Sequence, residues 1–397
     1  MGDPDGRRPD TRAVRGGTDR STHDETSEAL FLTSGFVYPS AAEAAAAFDG
    51  SSDHYRYTRL GNPTTAMLEE RLRQLEGAEA CRALASGMSA VFYALLAVVR
   101  AGDRIVAPRA LFGSCFQILD AVLPRLGVTT EFVDGADLAQ WERALATPTR
   151  AVFLETPSNP MLDLVDLRAV ADLSHAAGAR VVVDNVMATP VLQRPLDLGA
   201  DVVTYSLTKH ADGQGRVLAG AVLGGAGFVA DELGPLLRHT GPTLSPFNAW
   251  VVLKGLETLR LRVEHASATA LDLAGWLEAQ AGVAEVRHPW LPSHPQHDLA
   301  RAQMSGGGTT LVLRLTGGRP AAFAFLDALE VVDISNNLGD AKSLAVHPAS
   351  TTHHAVGPEV RAATGVGDDV VRLSVGLEDV EDLREDLARA LRAAAAA

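Results

Sequence analysis

The sequence predicts an α/β protein, with a mostly parallel sheet covered on both faces by helices and a second, smaller α/β domain after it. Short apolar runs recur at 104–107, 130–133, 151–154, 180–183, 201–204 and 219–223, as expected of strands buried on both faces. Helical patterns lie between several of them, the rhythm of strand and crossover that builds a parallel sheet. After Gly241-Pro242 the pattern changes to one long helix followed by widely spaced strands.

Taken in order, residues 1–27 interleave Arg7, Arg8, Arg12, Arg15 and Arg20 with Asp3, Asp5, Asp10 and Asp19 and hold almost nothing apolar. Such a segment buries too little surface to offset its ordering and is expected as a flexible part of an N-terminal arm over 1–60. A large domain follows over 61–244. Its helix at 64–76 is marked by Met67, Leu68, Leu72 and Leu75, its helix at 89–100 is apolar, and a helix at 167–177 ends at Gly178 as at a C′ glycine. The small domain, 245–397, is expected to open with a helix from 245 to about 280. Strands near 285–287, 309–315 and 370–374 and helices over 321–329 and 380–397 complete it.

The bulk composition excludes several classes. With 35 basic and 49 acidic residues the net charge is −14, which disfavours nucleic acid as a partner. The two cysteines, Cys81 and Cys115, stand in no metal-ligand or redox spacing and are expected as small buried residues. No run of about eighteen uncharged apolar residues occurs and no apolar leader opens the chain, so a cytoplasmic protein without a membrane partner is expected.

Chemistry concentrates where strands end. Asp201-Val-Val-Thr-Tyr-Ser206-Leu-Thr208-Lys209 runs a strand into two hydroxyls and a lysine, and Asp184 closes an earlier strand. That combination suits a Schiff-base lysine and the partner of a pyridinium nitrogen, hence pyridoxal 5'-phosphate (PLP). Ala85-Ser86-Gly87-Met88-Ser89 opens the apolar helix and offers backbone N–H groups for a phosphate, although a small-residue helix start is also ordinary packing. In Tyr55-Arg56-Tyr57-Thr58-Arg59 the phenol of Tyr57 and the fork of Arg59 point the same way if extended and suit an anion. Glu155-Thr-Pro-Ser-Asn159-Pro160 places Asn159 at the ligand-binding edge of the sheet, within reach of a ring oxygen. Arg372 sits inside a strand, where an unpaired charge is costly, and is a candidate for a substrate carboxylate. His347, His353 and His354 fall in a Pro-bearing loop without a carboxylate at helical spacing, so no metal is expected. The Gly306-Gly-Gly308 run reads as a turn into a strand.

Together these motifs resemble the Cys/Met-metabolism family of PLP enzymes of fold type I, from about Thr33 to Leu387. Ser34-Gly35-Phe-Val-Tyr38, Leu111-Phe112-Gly113-Ser114, Lys209-His-Ala-Asp-Gly-Gln-Gly-Arg216 and Ile334-Ser-Asn-Asn-Leu-Gly-Asp-Ala-Lys-Ser-Leu344 are similar to the branch of O-succinylhomoserine sulfhydrylases. The resemblance implies a large domain with a mostly parallel seven-stranded sheet. It implies that Lys209 holds PLP and shuttles protons, that Asp184 pairs with the ring nitrogen and that Asn159 lies near the ring hydroxyl. Gly87, Met88, Ser206 and Thr208 would hold the phosphate, with Tyr57 and Arg59 added by a neighbouring subunit of a homotetramer, a dimer of dimers. Arg372 would grip the substrate carboxylate with help from Asn337.

The activity implied is γ-replacement on O-succinyl- or O-acetyl-homoserine with sulfide to give homocysteine. The alternatives are a γ-lyase, a γ-synthase using another nucleophile, or a non-catalytic PLP-binding regulator. Phe112 stands where many γ-synthases and lyases carry a tyrosine; it can stack on the ring but cannot move a proton. Leu207 and Met187 also depart from the common residues and are expected to reshape the pocket.

Overall fold

The computed structural model describes residues 6–397. Its larger sheet has seven strands: β1 (Ala80–Leu84), β2 (Arg104–Pro108), β3 (Thr129–Val133), β4 (Ala151–Glu155), β5 (Arg180–Asp184), β6 (Val202–Ser206) and β7 (Gly220–Gly224). They lie in the order β1-β7-β6-β5-β4-β2-β3, and only β7 runs against its neighbours. Each apolar run expected as a strand of this sheet is one. β4 is buried at every position and β5 at all but the first, which is why they read as continuous apolar runs.

Helices cover both faces. On one, Leu84, Val91, Leu95 and Val98 pack with Ile105, Phe153, Val182 and Val222. On the other, Leu68 and Leu72 meet Val203, Leu253 and Leu256, while Trp141 and Val170 meet Val152, Leu154 and Val181. Each such side chain fully buried contributes about 1.5–3 kcal/mol. The helix Pro63–Glu76 begins where expected because Asn62 Oδ1 accepts from Thr64 N–H at 2.9 Å and a proline follows the cap. Ser86 caps the helix Gly87–Val98 in the same way, its Oγ accepting from Ser89 N–H at 3.1 Å.

The second sheet has β8 (Val283–Arg287), β9 (Thr310–Leu315), β10 (Asp333–Ile334), β11 (Leu344–Val346) and β12 (Val370–Ser374), in the order β10-β11-β12-β9-β8. The helices Leu259–Glu278, Gly318–Asp327 and Val380–Ala394 bury one of its faces around Leu313, Phe325, Leu373 and Leu387.

Two expectations are corrected. The single helix over 245–280 is two, Pro246–Leu256 and Leu259–Glu278. Arg262 Nη2 donates to the Gly255 carbonyl at 2.7 Å and its Nη1 to the His210 carbonyl at 2.8 Å, so the joint is tied to the segment after β6. The flexible arm is not loose over the part that is described; Asp3 and Asp5 lie outside the described residues. Pro9–Arg15 is a helix with Ala13 buried, and the fully buried Arg71 donates to the Gly16 carbonyl at 2.8 Å, the Leu253 carbonyl at 3.3 Å, Thr18 Oγ1 at 3.2 Å and Glu28. Lys254 takes the other oxygen of Glu28. Leu207 and Met187 are core residues, 1% and 4% exposed, packed in two separate apolar clusters, and Leu207 also lines a small cavity with Tyr205, Ser206 and His210.

Candidate active site

β4, β5 and β6 end side by side, with Glu155 opposite Asp184 and Asp184 opposite Thr204 in the register. This carboxyl edge gathers most of the residues singled out from the sequence. The chain turns after Ser206 so that Lys209 N–H reaches the Ser206 carbonyl at 3.3 Å, and Lys209 Nζ then lies 2.5 Å from Asn337 Oδ1. The carbonyl of Asn337 accepts from Arg372 Nη2 at 3.0 Å, as does that of Asn336. Asn337 therefore stands between the lysine of one sheet's edge and the arginine of the other sheet.

Arg372, in β12, is 1% exposed. Its Nη1 donates to Asn159 Oδ1 at 2.9 Å, and its Nε has no partner among the described residues. Because a guanidinium only donates, this contact assigns the oxygen of Asn159 and leaves the Asn159 NH2 as a donor for something else. The loop that carries Asn159 has cis peptide bonds at Thr156-Pro157 and Asn159-Pro160.

The start of the helix Gly87–Val98 is pressed onto the end of β6. A Cβ on Gly87 would lie 2.5 Å from the Cβ of Ser206, so only glycine lets this backbone come so close. Met88 packs against the core behind it. Thr208 Oγ1 accepts from Ala219 N–H at 3.1 Å and lies 3.3 Å from the Ala219 carbonyl. Phe112 is partly buried against the same core, and its N–H donates to Glu155 Oε2 at 2.8 Å.

Burial moves the ionisable groups here toward neutrality. The Asp184 carboxyl is raised to about 7 by desolvation, against which only the Val186 N–H at 3.1 Å works. Glu155 is pushed well above the carboxylate range by burial and then by Asp184, and its Oε1 is buried without a partner among the described residues. Lys209 is lowered to about 8 by burial and by the charge of Arg372. Perturbed groups of this kind, grouped at one sheet edge, are characteristic of sites of chemistry.

Tyr57 and Arg59 are held elsewhere. Arg59 donates to the Arg238 carbonyl and lies over the Tyr57 ring, 5.6 Å from its centroid, and Tyr57 is 46% exposed. Two further residues, not among the sequence candidates, lie at this edge. For Glu155 a strand-end position is the sole signal in the sequence. His353 lies in a Pro-bearing loop with no local signal, yet its buried Nε2 lies 3.3 Å from the Leu111 carbonyl and 3.1 Å from that of Asn159. Among the described residues no group of three or more His, Cys, Asp or Glu is placed to hold a metal, and no helix is long and apolar enough to cross a membrane.

Comparisons with known proteins agree on one family. The model of the family described as Cys/Met metabolism PLP-dependent enzyme matches residues 10–392. The chain is 59% identical over 392 residues to an O-succinylhomoserine sulfhydrylase of Mycobacterium tuberculosis, covering 98% of this chain and 97% of that protein. It is 49% identical over 384 residues to an O-succinylhomoserine sulfhydrylase of Pseudomonas aeruginosa, covering 97% and 95%. A cystathionine gamma synthase from Xanthomonas oryzae pv. oryzae, solved in complex with aminoacrylate and cysteine, has a TM-score of 0.94 at 37% identity, covering 98% and 99%.

Proposed function

This chain belongs to the Cys/Met-metabolism family of PLP-dependent enzymes, and from that premise we propose that it catalyses γ-replacement on an O-acylhomoserine. The substrate is O-succinyl- or O-acetyl-homoserine and the nucleophile is sulfide. The γ carbon–oxygen bond breaks, a carbon–sulfur bond forms at the same carbon, and homocysteine and the free carboxylate leave. The observation that carries the reading is the placement of Lys209 and Arg372 on either side of Asn337. The choice of sulfide rests on the activity named for the two sulfhydrylase relatives.

The residues fit PLP. The backbone of Gly87 and Met88, with Ser206 close against it, offers N–H groups and a hydroxyl to a phosphate at a helix start. Thr208 would re-aim the hydroxyl it now shares with Ala219. Asp184, buried and lacking a cationic partner, is suited to a protonated ring nitrogen. The NH2 of Asn159 would donate to the ring oxygen, and Phe112 would cover a ring face.

When bound, PLP supplies an electron sink that makes protons next to the substrate's amino group acidic. The chain's own groups do the rest. Lys209, lowered to about 8, has a substantial neutral fraction near neutral pH and so serves as base and then as acid. Arg372 holds the substrate carboxylate, which fixes the carbon skeleton relative to the Lys209 amine. Asn337 limits where that amine swings.

Tyr57 and Arg59 would reach the phosphate of a neighbouring subunit rather than of their own. Leu32, Val37 and Phe48, at 69%, 90% and 68% exposure, lie in the same N-terminal segment and suit a surface covered in an oligomer. A homotetramer, a dimer of dimers, in the cytoplasm is the form we propose, and light scattering of the holoenzyme checks its mass. For the activity, purified enzyme is given O-succinylhomoserine with and without sulfide. Homocysteine formed only with sulfide is expected. Ammonia and 2-oxobutyrate alone, with sulfide present, would place the enzyme among the γ-lyases instead.

A further inference from the structure

The peptide unit between Leu111 and Phe112 is gripped on both sides. Its N–H donates to Glu155 Oε2 at 2.8 Å, and its carbonyl faces His353 Nε2 at 3.3 Å. The same imidazole nitrogen lies 3.1 Å from the carbonyl of Asn159. Both gripping side chains are nearly inaccessible, at 1% and 3% exposure. They come from different parts of the chain: Glu155 ends β4, and His353 lies between β11 and β12 of the second sheet.

Phe112 needs such help. It stands as the N-cap of the short helix Gly113–Gln117, and its side chain has no oxygen to cap that helix or to anchor itself. A tyrosine would also present a hydroxyl at its tip, whereas the phenylalanine ring is placed only by packing and by its own backbone. The 352–356 segment is built against the same turn. A Cβ on Gly113 would lie 2.5 Å from the Thr352 carbonyl oxygen, Gln117 Nε2 donates to the Ala355 carbonyl at 3.2 Å, and Val356 joins the core beside Cys115 and Phe116.

The hydrogen bonds around His353 fix one protonation state. His353 Nε2 faces two carbonyl oxygens and so carries the hydrogen, leaving Nδ1 to accept from Thr352 Oγ1 at 2.9 Å. Burial, which lowers the imidazole to about 4, works in the same direction. Glu155 has only to accept a hydrogen bond from Phe112, which a neutral carboxyl also does, more weakly than a charged one. Its charged and titratable neighbours are Asp184, Arg372 and Cys115.

We propose that Glu155 and His353 are positioning residues that hold the Leu111–Phe112 peptide from its two sides and thereby set the plane in which the Phe112 ring meets PLP. The proposal rests on Phe112 being the residue that covers the cofactor ring. Through His353 it also ties that ring to the sheet that carries Arg372.

The test titrates apoenzyme with PLP and follows both the dissociation constant and the visible circular dichroism of the bound cofactor. Glu155→Ala and His353→Ala are each expected to weaken binding about tenfold, as for the loss of one well-placed hydrogen bond, and to diminish the dichroic band. Glu155→Gln keeps an acceptor for the Phe112 N–H and is expected to recover most of that loss. In a Phe112→Ala background, either change is expected to add less than about twofold, because the effects run through one ring. Full additivity in that background, or a Glu155→Gln variant as impaired as Glu155→Ala, would overturn the proposal. If Phe112→Ala alone leaves affinity and dichroism unchanged, Phe112 does not cover the ring, and the underlying reading fails first. Unfolding of the apo chain checks that each variant folds; should His353→Ala not fold, the Glu155 cycle carries the test.

Discussion

Two buried clusters of charge in this protein are built on opposite plans. Under the N-terminal segment, Arg71, Lys254 and Glu28 complete one another, and Arg71 also bonds to three other oxygens. At the carboxyl edge of the large sheet, Asp184 and Glu155 are buried and Lys209 half-buried, each without an ionic partner in hydrogen-bond contact among the described residues. Their ionisation follows the plan. Burial alone would raise Glu28, but Lys254 and Arg71 draw it down to about 2, whereas burial goes largely unopposed at Asp184 and Lys209 and drives them to about 7 and about 8. A paired cluster stabilises the fold it sits in; an unpaired one costs stability and retains capacity for a ligand.

The contrast is broken most strongly at the two central cations. Lys209→Ala is expected to lower kcat/KM by about 10³-fold or more while leaving the melting temperature of the apo chain unchanged or slightly raised, since it removes a desolvated amine. Arg71→Leu is expected to do the reverse. It leaves Glu28 half-paired and the Gly16 carbonyl without its donor, with a loss of about 3–5 kcal/mol in denaturant unfolding. Turnover per folded molecule should change little. If Lys209→Ala destabilised the apo chain as much as Arg71→Leu, the distinction between the clusters would collapse.

The pH dependence of apo-chain stability sharpens the same contrast with smaller effects. Glu28 titrates at about 2 folded against 4.5 ordinarily, so its contribution is present above 4.5 and is lost as the pH falls toward 2. Asp184 titrates at about 7 folded against 3.8, so its contribution is complete below 3.8 and is lost as the pH rises through 7. Glu28→Gln should therefore flatten the acid limb of a melting-temperature profile, and Asp184→Asn the limb between about pH 4 and 7. A still smaller effect follows at Lys209: the rate at which PLP reconstitutes the apoenzyme should rise through about pH 8, as the amine becomes neutral.

The unpaired cluster was the more legible of the two in the sequence. Asp184, Asn159, Lys209 and Arg372 follow or occupy apolar strand runs, and a polar residue at such a place has few structural roles. The paired cluster was hidden because its members are far apart, Arg71 and Lys254 on helices and Glu28 just after a segment whose interleaved charges look solvated. His353 was hidden for a related reason: its partner at Leu111 lies 242 residues away, and nothing local distinguishes a histidine in a Pro-bearing loop. β1 escaped because Arg82 interrupts its apolar pattern, and β11 because three residues are too few to show one. The break between Pro246–Leu256 and Leu259–Glu278 is set by Arg262 reaching the Gly255 and His210 carbonyls, a tertiary contact that leaves the apolar spacing undisturbed.

The central claim is that the unpaired cluster is where PLP is held, with Lys209 as its point of attachment. Borohydride reduction of the holoenzyme, followed by proteolysis and mass spectrometry, tests it most directly. The account predicts a reduced PLP adduct on the peptide containing Lys209 and no adduct at that peptide in Lys209→Ala. An adduct on another lysine of the unmutated chain, or none on any, would contradict it.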